Sequence, residues 1–124
     1  MESQNHSRVE SAVNGPELMD RIGDDRLLLR ELLELFRSDA TVQVDTAHRA
    51  LESGNLDKVE RAGHALKGML ANLAAPQAGS LAGQLEEMGR SGDLKGAAEL
   101  LTRLREELLR VESALAVLCD GGSL

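Results

Sequence analysis

The chain has 124 residues, with 14 Lys+Arg against 21 Asp+Glu, a formal net charge of −7. A single aromatic, Phe36, excludes a base-stacking platform, and the acidic balance without a Lys/Arg stripe speaks against a nucleic-acid partner. One cysteine (Cys119), no apolar run of the ~18–20 residues that cross a bilayer and a polar N-terminus point to one small, soluble, cytoplasmic domain without membrane insertion.

Residues 1–14 (MESQNHSRVESAVN) read as a flexible polar tail. Gly15-Pro16 opens a short helix containing Leu18, Met19 and Ile22, which Gly23 closes. Asp24 and Asp25 are candidate N-caps of a long second helix reaching about Ser53. Its apolar face reads as Leu28, Leu32, Leu35, Phe36, Ala40, Ala47 and Leu51. Ser53-Gly54-Asn55 stops that helix and caps the next, which runs from about Leu56 to Ala74. There Leu56, Val59, Gly63, Leu66, Leu70 and Leu73 step by 3, 4, 3, 4 and 3, a regular buried stripe. Pro76 starts a fourth helix with Ala78, Leu81, Leu85 and Met88 inward, ending near Gly89–Gly92. Asp93 caps a fifth, with Leu94, Ala97, Leu101, Leu104, Leu108, Val111, Leu115 and Leu118 in register. Residues 120–124 read as a frayed terminus. Strand-like alternation is absent, and short connections make neighbouring helices antiparallel. The expected fold is all-α: an antiparallel up-down four-helix bundle over residues 15–119 with a short additional N-terminal helix. Such a bundle buries its own leucines, so a monomer is expected.

At about 100° per residue, His64 falls about 130° from the centre of the leucine stripe and therefore points outward. His6 and His48 read as ordinary surface residues. The surroundings of His64 are different. Gly68, Ala71 and Ala75 follow at offsets of 4, 7 and 11 on the same face. An exposed helical face normally carries long polar side chains, and glycine inside a helix costs roughly 1 kcal/mol relative to alanine. Small residues there admit another molecule's backbone close to the ring. Lys67 sits one turn on and brings an ammonium to any anion the ring carries, while Glu60 and Arg61 form the rim.

Imidazole is a nucleophile whose neutral form is well populated near pH 7. Attack on a phosphoryl group through one ring nitrogen calls for an acceptor behind the other, to fix the tautomer and stabilise the developing positive charge. Gln84 and Glu86 on the following helix are the candidates, and spacing does not choose between them.

His64-Ala65-Leu66-Lys67-Gly68 resembles the H-x-L-K-G signature of histidine phosphotransfer (HPt) domains, the shuttles of multistep phosphorelays. Asn55-Leu56-Asp57 before it, Asn72-Leu73 after it, Leu85-Glu86 about twenty residues on and the opening segment Leu18–Phe36 strengthen the likeness, which covers about residues 15–118. The resemblance implies that His64 accepts a phosphoryl group on Nε2 from a receiver-domain aspartate and passes it to another receiver. The donors and acceptors would be response regulators or a hybrid histidine kinase. It also implies that Lys67 contacts the phosphoryl oxygens, that Gly68 gives the receiver room, and that Glu86, at a position often held by Gln, bonds the other ring nitrogen. Met69 and Leu70 depart from the family, where small residues are common.

No cofactor or metal is expected on this chain; the Mg²⁺ would sit on the receiver. No G-x-x-x-x-G-K-[ST] loop or Gly-rich nucleotide box is present, so the expectation is a phosphohistidine carrier without autokinase activity. Three other readings compete. A metalloenzyme would use Glu60 and His64 at i, i+4, but the Glu-x-x-His of di-iron bundles does not occur. A helical interaction module would treat Lys67, Gly68, Ala71 and Ala75 as coincidence. The phosphoacceptor domain of a chemotaxis-type kinase would share fold and motif but draw its phosphoryl group from ATP on a kinase core.

Overall fold

The structure, a computed structural model, describes residues 12–124. Among these it forms helices α1 (Gly15–Arg21), α2 (Arg26–Ser53), α3 (Leu56–Asn72), α4 (Pro76–Ser91) and α5 (Ala97–Cys119), and no strand. Polar residues start the first three. Asn14 accepts the Glu17 N–H at 3.1 Å, Asp25 that of Leu28 at 3.0 Å and Asn55 that of Lys58 at 3.2 Å, each satisfying a donor the helix leaves free. Gly54 (φ 71°) ends α2 and Gly92 (φ 79°) ends α4 in the left-handed conformation that glycine adopts without strain.

Helices α2 to α5 close a ring in which α3 touches α2 and α4, and α5 touches α4 and α2. The α3–α4 contact is the most extensive. This is the expected four-helix bundle with α1 added at one end. Leu18, Leu29, Leu66, Leu70, Leu85, Leu104 and Leu115 are fully buried at its centre. None of the helices is long and apolar enough to cross a membrane among the described residues.

Several expectations are corrected. Residues 1–11 of the tail lie outside the described residues, but Ala12 and Val13 are buried in the core. Asn14 caps α1 and donates its N–H to the Ala74 carbonyl at 2.8 Å, so the bundle begins before residue 15. The C-terminal residues turn back, with Gly122 N–H on the Val117 carbonyl and Leu124 against the core.

On α2 the core face is Leu29, Leu33, Phe36, Ala40, Val44, Ala47 and Ala50. Leu28, Leu32 and Leu51 are half-buried and Leu35 is exposed. Leucine occupies 27–29, 32, 33 and 35, so several faces are equally apolar and only the neighbours decide which one is covered.

Helix α3 ends at Asn72, not Ala74, because Ala74 takes a left-handed φ of 56°. Such a conformation costs a non-glycine residue about 1–2 kcal/mol, and core burial of Leu73, Ala74 and Ala75 offsets it. At the other junction, Asp93 does not cap α5. Its carboxylate accepts the Lys95 N–H at 3.2 Å in a local turn, and Gly96 (φ 78°) delays the helix to Ala97. Leu94 therefore lies outside the helix.

Helix α5 gives a direct test of the buried face. Leu104→Ala should destabilise the fold by about 2–5 kcal/mol, whereas Leu109→Ala, at a site 63 % exposed, should stay within about 1 kcal/mol of wild type. Urea denaturation of both variants measures this, and equal losses would refute the assigned face.

Candidate functional site around His64

His64 lies near the middle of α3, two residues before the fully buried Leu66, and helical geometry turns its side chain out of the bundle. That side chain is 72 % exposed. Its Nδ1 nevertheless meets the protein, 2.7 Å from Oε2 of Glu86 on α4. The other carboxylate oxygen, Oε1, accepts a hydrogen bond from Lys67 Nζ at 2.5 Å. Arg90, one turn along α4, brings Nη2 to 3.4 Å from Oε2. Three basic side chains thus converge on one carboxylate that is itself buried.

The electrostatics follow from this geometry. Burial alone would push the Glu86 carboxyl upward, since a charge taken out of water is penalised. The hydrogen bond from Lys67, then that from His64, outweighs desolvation and holds the group below its ordinary value of 4.5. An ionised carboxylate only accepts hydrogen bonds, so the proton between His64 and Glu86 belongs to Nδ1. In the neutral ring this leaves the lone pair on Nε2, the nitrogen that faces solvent. The site therefore offers an accessible nucleophilic nitrogen backed by a fixed negative charge.

Of the two candidates for the acceptor behind the ring, Glu86 occupies the place. Gln84 lines the opposite side of α4, in a polar groove shared with Gln77, Ser80, Arg103 and Arg110. Gly68 is open, with no atom within 4 Å of where a Cβ would stand, and Ala71 is exposed. The Ala71 carbonyl accepts from Arg21 at 2.7 Å, which ties α1 to the end of α3. Ala75 is the exception to the small-residue face. It is only 1 % exposed, because the left-handed turn at Ala74 ends the helix and carries it into the core, so it offers no docking surface.

The two rim residues part company. Arg61 is exposed, ion-paired with Asp57 and placed beside the α2–α3 groove. Glu60 turns toward α4 and accepts from Arg90 Nε at 3.2 Å. Arg90 escaped the sequence reading. It also bonds Glu87 at 3.0 Å, and its signal was its position four residues after Glu86, where a basic side chain reaches back along the helix. Elsewhere His48 faces Glu52 at 3.4 Å, and Cys119 is buried, its thiol pushed up chiefly by desolvation. His6 lies outside the described residues. Among the described residues no three His, Cys, Asp or Glu side chains gather as a metal site.

Comparison with known proteins bears on the family and the fold. A family model described as the Hpt domain matches residues 31–114. The crystal structure of histidine-containing phosphotransfer protein B (HptB) from Pseudomonas aeruginosa PAO1 superposes with a TM-score of 0.73 at 24 % identity, covering 85 % of this chain and 89 % of that one. None of the curated proteins matches the chain significantly.

Because the folded protein holds the Glu86 carboxyl below its ordinary value, the ionised group stabilises the fold at every pH above about 4.5. That contribution is lost as the pH falls from there through the depressed value. The stability difference between wild type and Glu86→Gln should therefore be fully present above about pH 4.5 and shrink as the pH falls below it. Urea denaturation at pH 7, 5 and 3 reads it; a gap that stayed constant would contradict the cation-held carboxylate.

Proposed function

The chain belongs to the Hpt domain family, and on that premise we propose that His64 is the residue that carries the phosphoryl group. Members of the family are histidine phosphotransfer carriers of phosphorelays, and this chain is one of them. The observation that carries the assignment of His64 is its Nδ1 bond to the buried Glu86, which leaves Nε2 exposed and nucleophilic.

In the proposed reaction, Nε2 attacks the phosphorus of a receiver's aspartyl phosphate in line with the leaving oxygen. The N–P bond forms as the P–O bond breaks, and the electron pair leaves on the aspartate carboxylate. The ring becomes positively charged, and the Glu86 carboxylate against Nδ1–H stabilises that charge. Lys67 has three N–H donors and uses one on Glu86, so the others are available to phosphoryl oxygens without breaking the pair. A second receiver's aspartate reverses the step and takes the group onward. Mg²⁺ belongs to the receiver, where it neutralises phosphoryl oxygens.

The docking surface in this reading is the exposed α3 face around His64. Gly68 and Ala71 let the receiver approach, and Arg61 supplies charge at the rim. Glu60, held by Arg90, acts from the α4 side. The partners are receiver domains of response regulators or of a hybrid histidine kinase. In this reading the carrier takes its phosphoryl group from receivers and not from ATP, and works in the cytoplasm.

The reading is tested by mixing phosphorylated receiver domains and Mg²⁺ with wild type and His64→Gln. Acid-labile, base-stable label should appear on wild type alone; equal labelling of the variant would remove His64 from the role. Lys67→Ala should slow transfer on the order of 100-fold, as loss of one preorganised donor does, and should also lower the unfolding midpoint, because the buried Glu86 carboxylate loses a partner. A wild-type rate would refute its part in the chemistry. Gly68→Gln should fold at least as stably as wild type, since Gln is the better helix former, yet bind receivers more weakly in a titration. Unchanged affinity would overturn the clearance role.

A further inference from the structure

Two glycines face each other across the α3–α4 contact, and what they do deepens the reading above and rests on it. A Cβ built on Gly63 would stand 2.5 Å from the backbone nitrogen of Glu86 and 2.8 Å from its Cα. A Cβ on Gly89 would stand 2.7 Å from the Cα of Glu60. The contacts are reciprocal. Glu60 precedes Gly63 by one helical turn on α3, and Glu86 precedes Gly89 by one turn on α4. Each glycine therefore lies on the backbone of the other helix's acidic residue. Real Cβ atoms do not approach backbone so closely, so no other residue fits at either position without moving a helix.

The same edge of α4 meets the site at three successive levels. At the first, Gly83 lies under the Lys67 side chain, with 3.5 Å between its would-be Cβ and Lys67 Cδ. Next, Glu86 meets His64 and Lys67 while its backbone rests on Gly63. At the third, Arg90 meets Glu60, whose backbone rests on Gly89. The glycines carry no polar group and touch no reacting atom. What they supply is the distance between the two helices.

We propose that Gly63 and Gly89 are positioning residues for phosphoryl transfer, holding α3 and α4 close enough for the Glu86 carboxylate to reach both His64 Nδ1 and Lys67 Nζ. Ordinary contact between carbon atoms begins near 3.5 Å. A methyl group at position 63 therefore drives the helices apart by about 1 Å at the level of the site. The 2.7 Å bond from His64 to Glu86 does not survive such a shift. The ring is then free to protonate on either nitrogen, and the lone pair on Nε2 is no longer enforced. Misplacements of about 1 Å cost reactions up to roughly 100-fold.

A merely structural glycine would lose stability on substitution but leave the ring of the folded molecule as it was. The experiment compares Gly63→Ala, Gly89→Ala and, as a control on the same helix, Gly79→Ala, whose nearest foreign atom would be 3.9 Å away. Two quantities are measured on folded protein. The first is the protonation pattern of the His64 ring nitrogens by ¹⁵N NMR, above the imidazole titration. The second is the rate of phosphohistidine formation with phosphoramidate, a small donor that needs no receiver docking. Wild type and Gly79→Ala should carry the proton on Nδ1. Gly63→Ala and Gly89→Ala should show a mixture of tautomers and rates lowered on the order of tenfold or more. In a Glu86→Ala background the same glycine substitutions should lower the rate no further, although they still lower the unfolding midpoint. Wild-type ring nitrogens in folded Gly63→Ala and Gly89→Ala would overturn the proposal, as would rate losses undiminished in the Glu86→Ala background. If Gly63→Ala does not fold, Gly89→Ala carries the comparison, because its clash lies at Glu60, one turn from the ring. A wild-type protein that takes no phosphoryl group would remove the carrier reading, and the ring nitrogens would still decide the role of the glycines.

Discussion

An ionised carboxylate taken out of water is stable only when charge and hydrogen bonds replace its hydration, and the side chain of Glu86 is just 7 % exposed. Lys67, His64 and Arg90 supply that replacement from two helices. Most features of the site can be traced to this demand. The ring of His64 is oriented because one of its nitrogens is needed by the carboxylate. Lys67 is brought to the other oxygen of the same carboxylate. Arg90 is drawn in from the next turn and takes Glu60 with it. A single buried charge thus organises an exposed surface.

The bundle around it is built so that this charge can be buried at the surface of the core and not within it. Leu66, Leu70 and Leu85 close the interior, and Glu86 follows Leu85 on the shoulder of α4. The α3–α4 contact is the most extensive in the fold, whereas α2 and α5 complete the ring and contribute no side chain to the Glu86 cluster. On this division, α2 and α5 supply stability while α3 and α4 supply geometry. Exposed apolar side chains such as Leu35 and Leu109 lie on the former pair.

Much of this was legible in the sequence wherever one helix contained the whole pattern. The stripe from Val59 to Leu73 placed His64, Lys67 and Gly68 outward together, since all depend on the period of a single element. By spacing Glu86 was legible only as one of two candidates, because the register between two helices is a tertiary property that no spacing encodes; only the family resemblance singled it out. Arg90 was missed for the same reason: its partners are Glu86 on its own helix and Glu60 on the neighbour. Ala75 misled because the periodic pattern runs on past Asn72, whereas the backbone turns left-handed at Ala74 and leaves the helix. The core face of α2 was ambiguous from the start. With leucine on most sides of the helix, only the positions of its neighbours determine which side is covered.

The ion-pair cluster of the site is made within one helical hairpin. His64 and Glu86 are 22 residues apart, Lys67 and Glu86 are 19 apart, and Glu60 and Arg90 are 30 apart. Chain closure over such spans is entropically modest, since doubling a loop adds only about 0.6 kcal/mol, and local contacts favour rapid assembly. The geometry of the site is therefore encoded at low contact order. It depends on one pair of consecutive helices, and α5, which follows them in the chain, is not required to bring its members together.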